Sequence, residues 1–216
     1  MRRPAIILAT IMIALSAVAQ PSAQQAAPRV RARVHLVVLR SFPEEWIEPI
    51  ARSLREDLQV AVVREPGVVE LPSSAYYAPR RRYRAERLTQ FLADRFHDRP
   101  AADRVLGLTS VDISTTKGRF RDWGILGLGD LGGRAAVVSS FRMRRRARTP
   151  AHAEWRMVTT AVHETGHVLG LDHCTEAACL MRDAEGSMDN VDAGDGELGA
   201  FCRARLDRIA PAALAP

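Results

Sequence analysis

The chain of 216 residues is short of several things, and each shortage excludes a class. Cysteine occurs three times, at 174, 179 and 202, an odd number and too few for a disulfide-framed mini-protein. Lysine occurs once, at Lys117, so arginine supplies nearly all of the 31 basic side chains. Aromatic residues make up 6%, leaving few rings to interleave with the basic runs Arg80–Arg84 and Arg142–Arg148, as a nucleic-acid surface would require. Those runs read as solvated loops. Long apolar stretches are missing apart from residues 5–19 (AIILATIMIALSAVA), fifteen residues where a bilayer of roughly 30 Å needs about 20.

That one stretch follows Arg2 and Arg3 and ends in Ala17-Val18-Ala19, a small-x-small pattern, before the chain turns polar. Residues 1–19 therefore read as a secretory signal peptide cut after Ala19, an uncleaved anchor being the alternative. Cleavage would lower the net charge from +6 to +4, since Arg2 and Arg3 leave and no acid does. An exported protein, periplasmic or extracellular, without stable membrane association and without a nucleic-acid partner is the expectation. Residues 20–29 read as a flexible linker and 30–216 as a single domain.

What is present is an alternation of element types. Val30 to Leu39 and residues 59–63 (closed by Pro66-Gly67), 105–109 and 135–140 read as strands. Helical spacing marks 48–58, through Ile47, Ile50, Leu54 and Leu58, and 85–96, through Leu88, Phe91, Leu92 and Phe96. The glycine-rich stretch 123–133 reads as loop or irregular edge strand, without a phosphate-binding fingerprint. Thr149 and Pro150 form a helix start, and Trp155, Val158 and Val162 suggest the apolar face of a helix ending at Gly170. The acidic run from Asp183 to Glu197 lacks EF-hand spacing and reads as loop, with Asp195 capping a last helix over 196–209. The fold class is α/β, a twisted and mostly parallel sheet with crossover helices.

Inside the capped helix stands His163-Glu164-Thr165-Gly166-His167, followed by Gly170 and His173, so three of the six histidines fall within eleven residues. Residues four apart on a helix lie about 40° apart around its axis, so His163 and His167 share a face and can bind one Zn²⁺. Gly170 lets the chain turn sharply and bring His173 in as third ligand. Three neutral ligands leave a position open for water, as in catalytic zinc sites, and Glu164 is placed to act on that water as general base. His35, His97 and His152 lack partners at ligand spacing and read as structural or exposed.

The run HETGHVLGLDHCTEAACLM resembles the archaemetzincin family of metzincin peptidases. There the three-histidine motif continues into Cys-x4-Cys-x-Met, and a Cys-x-x-Cys pair follows some seventeen residues later. The resemblance implies a metzincin-like fold with a long active-site helix and a small C-terminal lobe, and peptide or protein substrates; a monomer is the expectation. It implies that Met181 is the Met-turn residue beneath the zinc and that 120–133 forms the upper rim of the cleft. It also implies a second, structural zinc held by four cysteines. Here Gly199 stands where the first cysteine of the final pair is expected, leaving Cys174, Cys179 and Cys202. Either a mixed ligand set still binds zinc, or Cys174 and Cys179 form a disulfide and Cys202 stays free. The rival to an exported zinc-dependent peptidase is a non-catalytic protein whose zinc serves folding or partner binding.

Overall fold

The computed structural model describes residues 29–215, so the expected signal peptide and nearly all of the linker lie outside the described residues. In chain order the elements are β1 (Arg33–Leu39), α1 (Ile47–Leu58), β2 (Ala61–Val69), β3 (Tyr76–Tyr77), β4 (Arg82–Arg84), α2 (Ala85–Arg95), β5 (Arg104–Thr109), β6 (Ile113–Lys117), β7 (Phe120–Ile125), β8 (Gly127–Gly129), β9 (Ala135–Ser139), α3 (Pro150–Val168), α4 (Met188–Asp192) and α5 (Ala200–Ile209). The main sheet has the order β2-β1-β5-β9-β8, parallel except for β8, which pairs antiparallel with β9.

Alternation along the strands decides how the layers pack. Val34, Leu36 and Val38 of β1, with Leu106, Leu108, Ala136 and Val138, face α1 and α3 in one core. Val37, Leu39, Val105, Ala135 and Val137 face α2 in the other. Parallel strands covered on both faces explain the near-continuous apolar runs at β1 and β9. The expected α/β architecture, a mostly parallel sheet with helices on both faces, is therefore present.

Several local expectations shift. Strand β2 does not stop at Pro66-Gly67 but continues to Val69, with an irregularity in its pairing opposite Leu36 and Val38. It is the sheet edge, where a residue without an N–H is tolerated. A second sheet, β3-β4-β6-β7, has no counterpart in the sequence reading, because its strands are short and only half buried or exposed over much of their length. The glycine-rich stretch forms β7, β8 and a turn, and β8 is an edge strand. Helix α5 begins at Ala200 with Gly199 before it, not at Asp195.

The arginine runs are more engaged than solvated loops would be. Arg82 and Arg142 both hydrogen-bond Asp112, Met143 is fully buried, and Arg144 stacks over Trp46. The acidic run contains α4. Its Asp192 accepts two hydrogen bonds from Arg156, at 2.7 and 2.5 Å, and lies 2.9 Å from His152 Nε2. Arg156, 2% exposed, also donates to the carbonyls of Met143 and Arg145. His35 is buried between Glu65 and Asp103, at 2.7 and 2.9 Å. Among the described residues no helix is long and apolar enough to cross a membrane.

Candidate active site

Helix α3 starts where Thr149 accepts a hydrogen bond from the His152 N–H at 3.1 Å, with Pro150 in its first turn. Its buried face runs through Ala153, Met157, Ala161 and Val168; of the expected apolar residues Val162 is buried, while Trp155 and Val158 are half buried. At the other end Gly170 has φ +100°, where a side chain would be strained. Its N–H donates to the His167 carbonyl at 2.8 Å and the Leu171 N–H to the Gly166 carbonyl at 2.9 Å. This closure satisfies the last carbonyls and reverses the chain, so that His173 comes back to the helix face carrying His163 and His167.

The three imidazoles converge. Their ligand atoms all lie within 4.8 Å of one another. His163 Nδ1 donates to the Leu180 carbonyl and His167 Nδ1 to the Leu171 carbonyl, each at 2.8 Å. Since a carbonyl only accepts, both rings hold their proton on Nδ1 and turn a bare Nε2 inward. The two Nε2 atoms are 3.0 Å apart, lone pair against lone pair, which is repulsive alone and attractive around a shared cation. Tetrahedral zinc with Zn–N near 2.0–2.1 Å places ligand nitrogens about 3.3 Å apart, so the set fits that ion. Burial, reinforced by His167, lowers the His163 pKa to about 4, and burial lowers that of His167. Both are thus neutral, the form that binds metal.

Glu164 points to the other side of the same turn and is 8% exposed. Burial raises its pKa to about 8, opposed by a hydrogen bond from the Gly129 backbone N–H. Strand β8 makes that bond possible. Ladder bonds on either side of it, from Ser139 N–H to Leu126 and from Asp130 N–H to Ala135, leave Gly127 and Gly129 with backbone groups turned away from β9. A Cβ on Gly129 would lie 2.3 Å from the Glu164 carbonyl oxygen, and one on Gly127 2.5 Å from Glu164 Cγ. Only glycine allows this strand so close to the helix. Met181, fully buried, lies under the histidine helix, with Sδ 2.7 Å from where a Cβ on Gly166 would be. Above these groups opens a cavity of about 360 Å³ lined by Trp123, Leu128, Glu164, the three histidines and Asp183, among others.

Cys174, Cys179 and Cys202 also come together, all buried, as free thiols with sulfurs within 4.8 Å of one another. Burial and contact with the other two thiols push the Cys202 pKa up. The groups that residue spacing did not reveal are backbone ones: the Leu171 and Leu180 carbonyls that set the histidine tautomers, and the Gly129 amide on Glu164. The Gly-x-Gly pair at 127 and 129 was the one available signal, since glycine inside a strand marks a close backbone approach.

The chain matches the model of peptidase family M54 over residues 49–210. It is 33% identical over 172 residues to an archaemetzincin of Archaeoglobus fulgidus, covering 78% of this chain and 94% of that one. The crystal structure of the A. fulgidus archaemetzincin complexed with malonate aligns with a TM-score of 0.67 at 30% identity, over 80% of this chain and 99% of that one. That of the Methanopyrus kandleri archaemetzincin aligns with a TM-score of 0.70 at 29% identity, over 84% and 97%. The chain belongs to peptidase family M54 and is a zinc metallopeptidase of the archaemetzincin type.

Proposed function

We propose that residues 1–19 direct export, that 30–216 act as one monomeric peptidase domain, and that peptide bonds are hydrolysed in the cleft between β8 and α3. His163, His167 and His173 hold the catalytic zinc, and Glu164 is the general base. The observation that carries this reading is Glu164 itself. It is a buried carboxylate beside a complete ligand triad, and a metal held only for folding has no use for it.

Zinc bound by the triad supplies positive charge that polarises the scissile carbonyl, acidifies water and draws the neighbouring carboxyl toward its ionised form. The residues do the rest. The Gly129 N–H favours the carboxylate state of Glu164 and aims it into the cleft. Glu164 takes a proton as the water oxygen bonds to the carbonyl carbon. It then delivers that proton to the amine nitrogen as the C–N bond breaks. The outward-facing edge of β8 lets the substrate lie extended, as an added strand.

Glu164→Gln tests the assignment. Hydrolysis of a mixed peptide library should fall by ~10²–10⁴-fold, with zinc content and melting temperature unchanged. An unaltered rate would overturn it, and a folded wild-type chain without zinc would sink the peptidase reading altogether. Mass determination of the exported protein's N-terminus tests cleavage after Ala19.

A further inference from the structure

The three-cysteine cluster is one ligand short of a closed structural zinc site, and its neighbourhood contains a replacement. A Cβ built on Gly199 would lie 2.0 Å from Glu176 Oε2, 3.0 Å from its Cδ and 3.3 Å from Cys179 Cβ. The carboxylate thus lies in the volume a side chain at 199 would take, beside Cys174 but not within 4.8 Å of all three sulfurs, and a rotation of its flexible side chain completes the set. Its Oε2 is 3.7 Å from Cys174 Sγ. Around one tetrahedral zinc, a sulfur at about 2.3 Å and an oxygen at 2.0–2.2 Å stand about 3.6 Å apart, so this is the spacing of two ligands on a shared ion. Two backbone donors point at the sulfurs: Glu176 N–H to Cys174 Sγ at 3.4 Å and Gly199 N–H to Cys179 Sγ at 3.3 Å. Such donors favour thiolate over thiol, and thiolate is the form that binds metal.

We propose that Glu176 is the fourth ligand of a second zinc site, completing Cys174, Cys179 and Cys202. The set keeps the charge of four thiolates, since one carboxylate replaces one sulfur. It also gives the site a different hardness: an oxygen at the solvent-facing corner, on a side chain that is otherwise exposed, and three sulfurs in the core. The inference does not depend on the peptidase reading, because these ligands are separate from the histidine triad.

The test uses the full mature chain, first assayed for zinc and free thiols as purified, then reduced, stripped and titrated with Co²⁺. Only the cysteine site gives a sulfur-to-cobalt charge-transfer band, so its occupancy is read separately from the histidine site and without activity. Two zincs per chain and three free thiols after metal removal are expected in the wild type. Glu176→Ala and the near-isosteric Glu176→Gln should each weaken the thiolate site at least tenfold, a floor set by what loss of even an outer partner costs. Gly199→Cys in the Glu176→Ala background should restore it. Equal affinity in wild type and both Glu176 variants overturns the proposal, as does a wild type without the thiolate band or with a Cys174–Cys179 disulfide. Peptide hydrolysis by the same wild-type preparation, at saturating zinc, reports on the histidine site.

Discussion

Replacing Gly129 with alanine adds a single methyl group at the point where β8 passes closest to α3. Its Cβ would sit 2.3 Å from the Glu164 carbonyl oxygen and 3.0 Å from His167 Cβ. The first of these is a backbone atom within a helix, so it cannot rotate away, and β8 must retreat. Restoring ordinary contact takes a shift of about 1 Å, and misplacement on that scale costs on the order of 10²-fold in rate when it falls on a catalytic group. The same retreat carries the Gly129 N–H away from Glu164, whose carboxylate form that group favours. Since that interaction lowers the Glu164 pKa, its loss moves the acid limb of the pH–rate profile upward. The assay is initial rates on a peptide mixture between pH 5 and 9, with zinc content and melting temperature measured on the same preparation. The signature is a rate lowered about 10²-fold, a raised acid limb and full zinc occupancy. A Gly129→Ala enzyme with the wild-type rate and profile would show that Glu164 is not positioned from β8.

Two further outcomes follow from buried charges. Arg156→Met removes the fully buried partner of Asp192 and orphans two carbonyls, and should cost about 3 kcal/mol of stability by denaturant titration, the low end for breaking a buried pair because His152 stays on Asp192. Arg156 holds the Asp192 pKa below the usual carboxylate range, so the pair's contribution is present above that range and lost as pH falls through the depressed value; the variant should show a shallower acid limb. Metal removal exposes an opposite pair of slopes. In the stripped protein His163, lowered from 6.5 to about 4, makes stability rise with pH across that interval, while Glu164, raised from 4.5 to about 8, makes it fall across its own. Where these two intervals overlap they offset one another, the lowered His167 adds a further rise, and above about pH 6.5 the fall from Glu164 remains. Melting temperature of the stripped protein should therefore peak near pH 6.5, and a monotonic rise to pH 8 would contradict the buried, protonated Glu164.

The parts of this structure that could be read from residues are those governed by local periodicity and by motif spacing. Alternation and apolar runs marked β1, β5 and β9, and Thr149-Pro150 with Gly170 bracketed α3, because caps and left-handed turns are chosen by one or two residues. The histidine convergence followed from helical geometry plus that one glycine. The second sheet did not follow, since strands as short as Tyr76–Tyr77 and Arg82–Arg84 carry no period and are held by pairing alone. Only part of the buried face of α3 is legible, through Val162, because Arg156 and Glu164 also lie on it, and charged residues at helical spacing read as solvent-facing until a partner such as Asp192 is located. Glu176 was invisible for a related reason: its place beside Gly199 depends on a contact between residues 23 apart in sequence, brought together by the loop.

The two candidate metal centres are not independent pieces, because the same short segment builds both. Cys174 directly follows His173, and its N–H donates to the Met181 carbonyl at 2.9 Å. Cys179 immediately precedes Leu180, whose carbonyl orients His163 and whose N–H donates to Glu197 at 2.7 Å. A metal bound through Cys174, Cys179 and Cys202 would tie this segment to α5, so its loss would free His173, Met181 and the carbonyl that sets the His163 tautomer together. A ligand oriented by such a partner typically loses about 10–100-fold in metal affinity when the partner goes. Cys202→Ser should accordingly weaken zinc at the histidine site by that order, although no cysteine touches that metal, and should lower the peptidase rate at limiting zinc while leaving it nearly intact at saturation. Measuring zinc affinity of the histidine site in Cys202→Ser against wild type decides the point. Equal affinities would mean that Gly170 and the two carbonyl bonds are enough to hold the triad without the second centre.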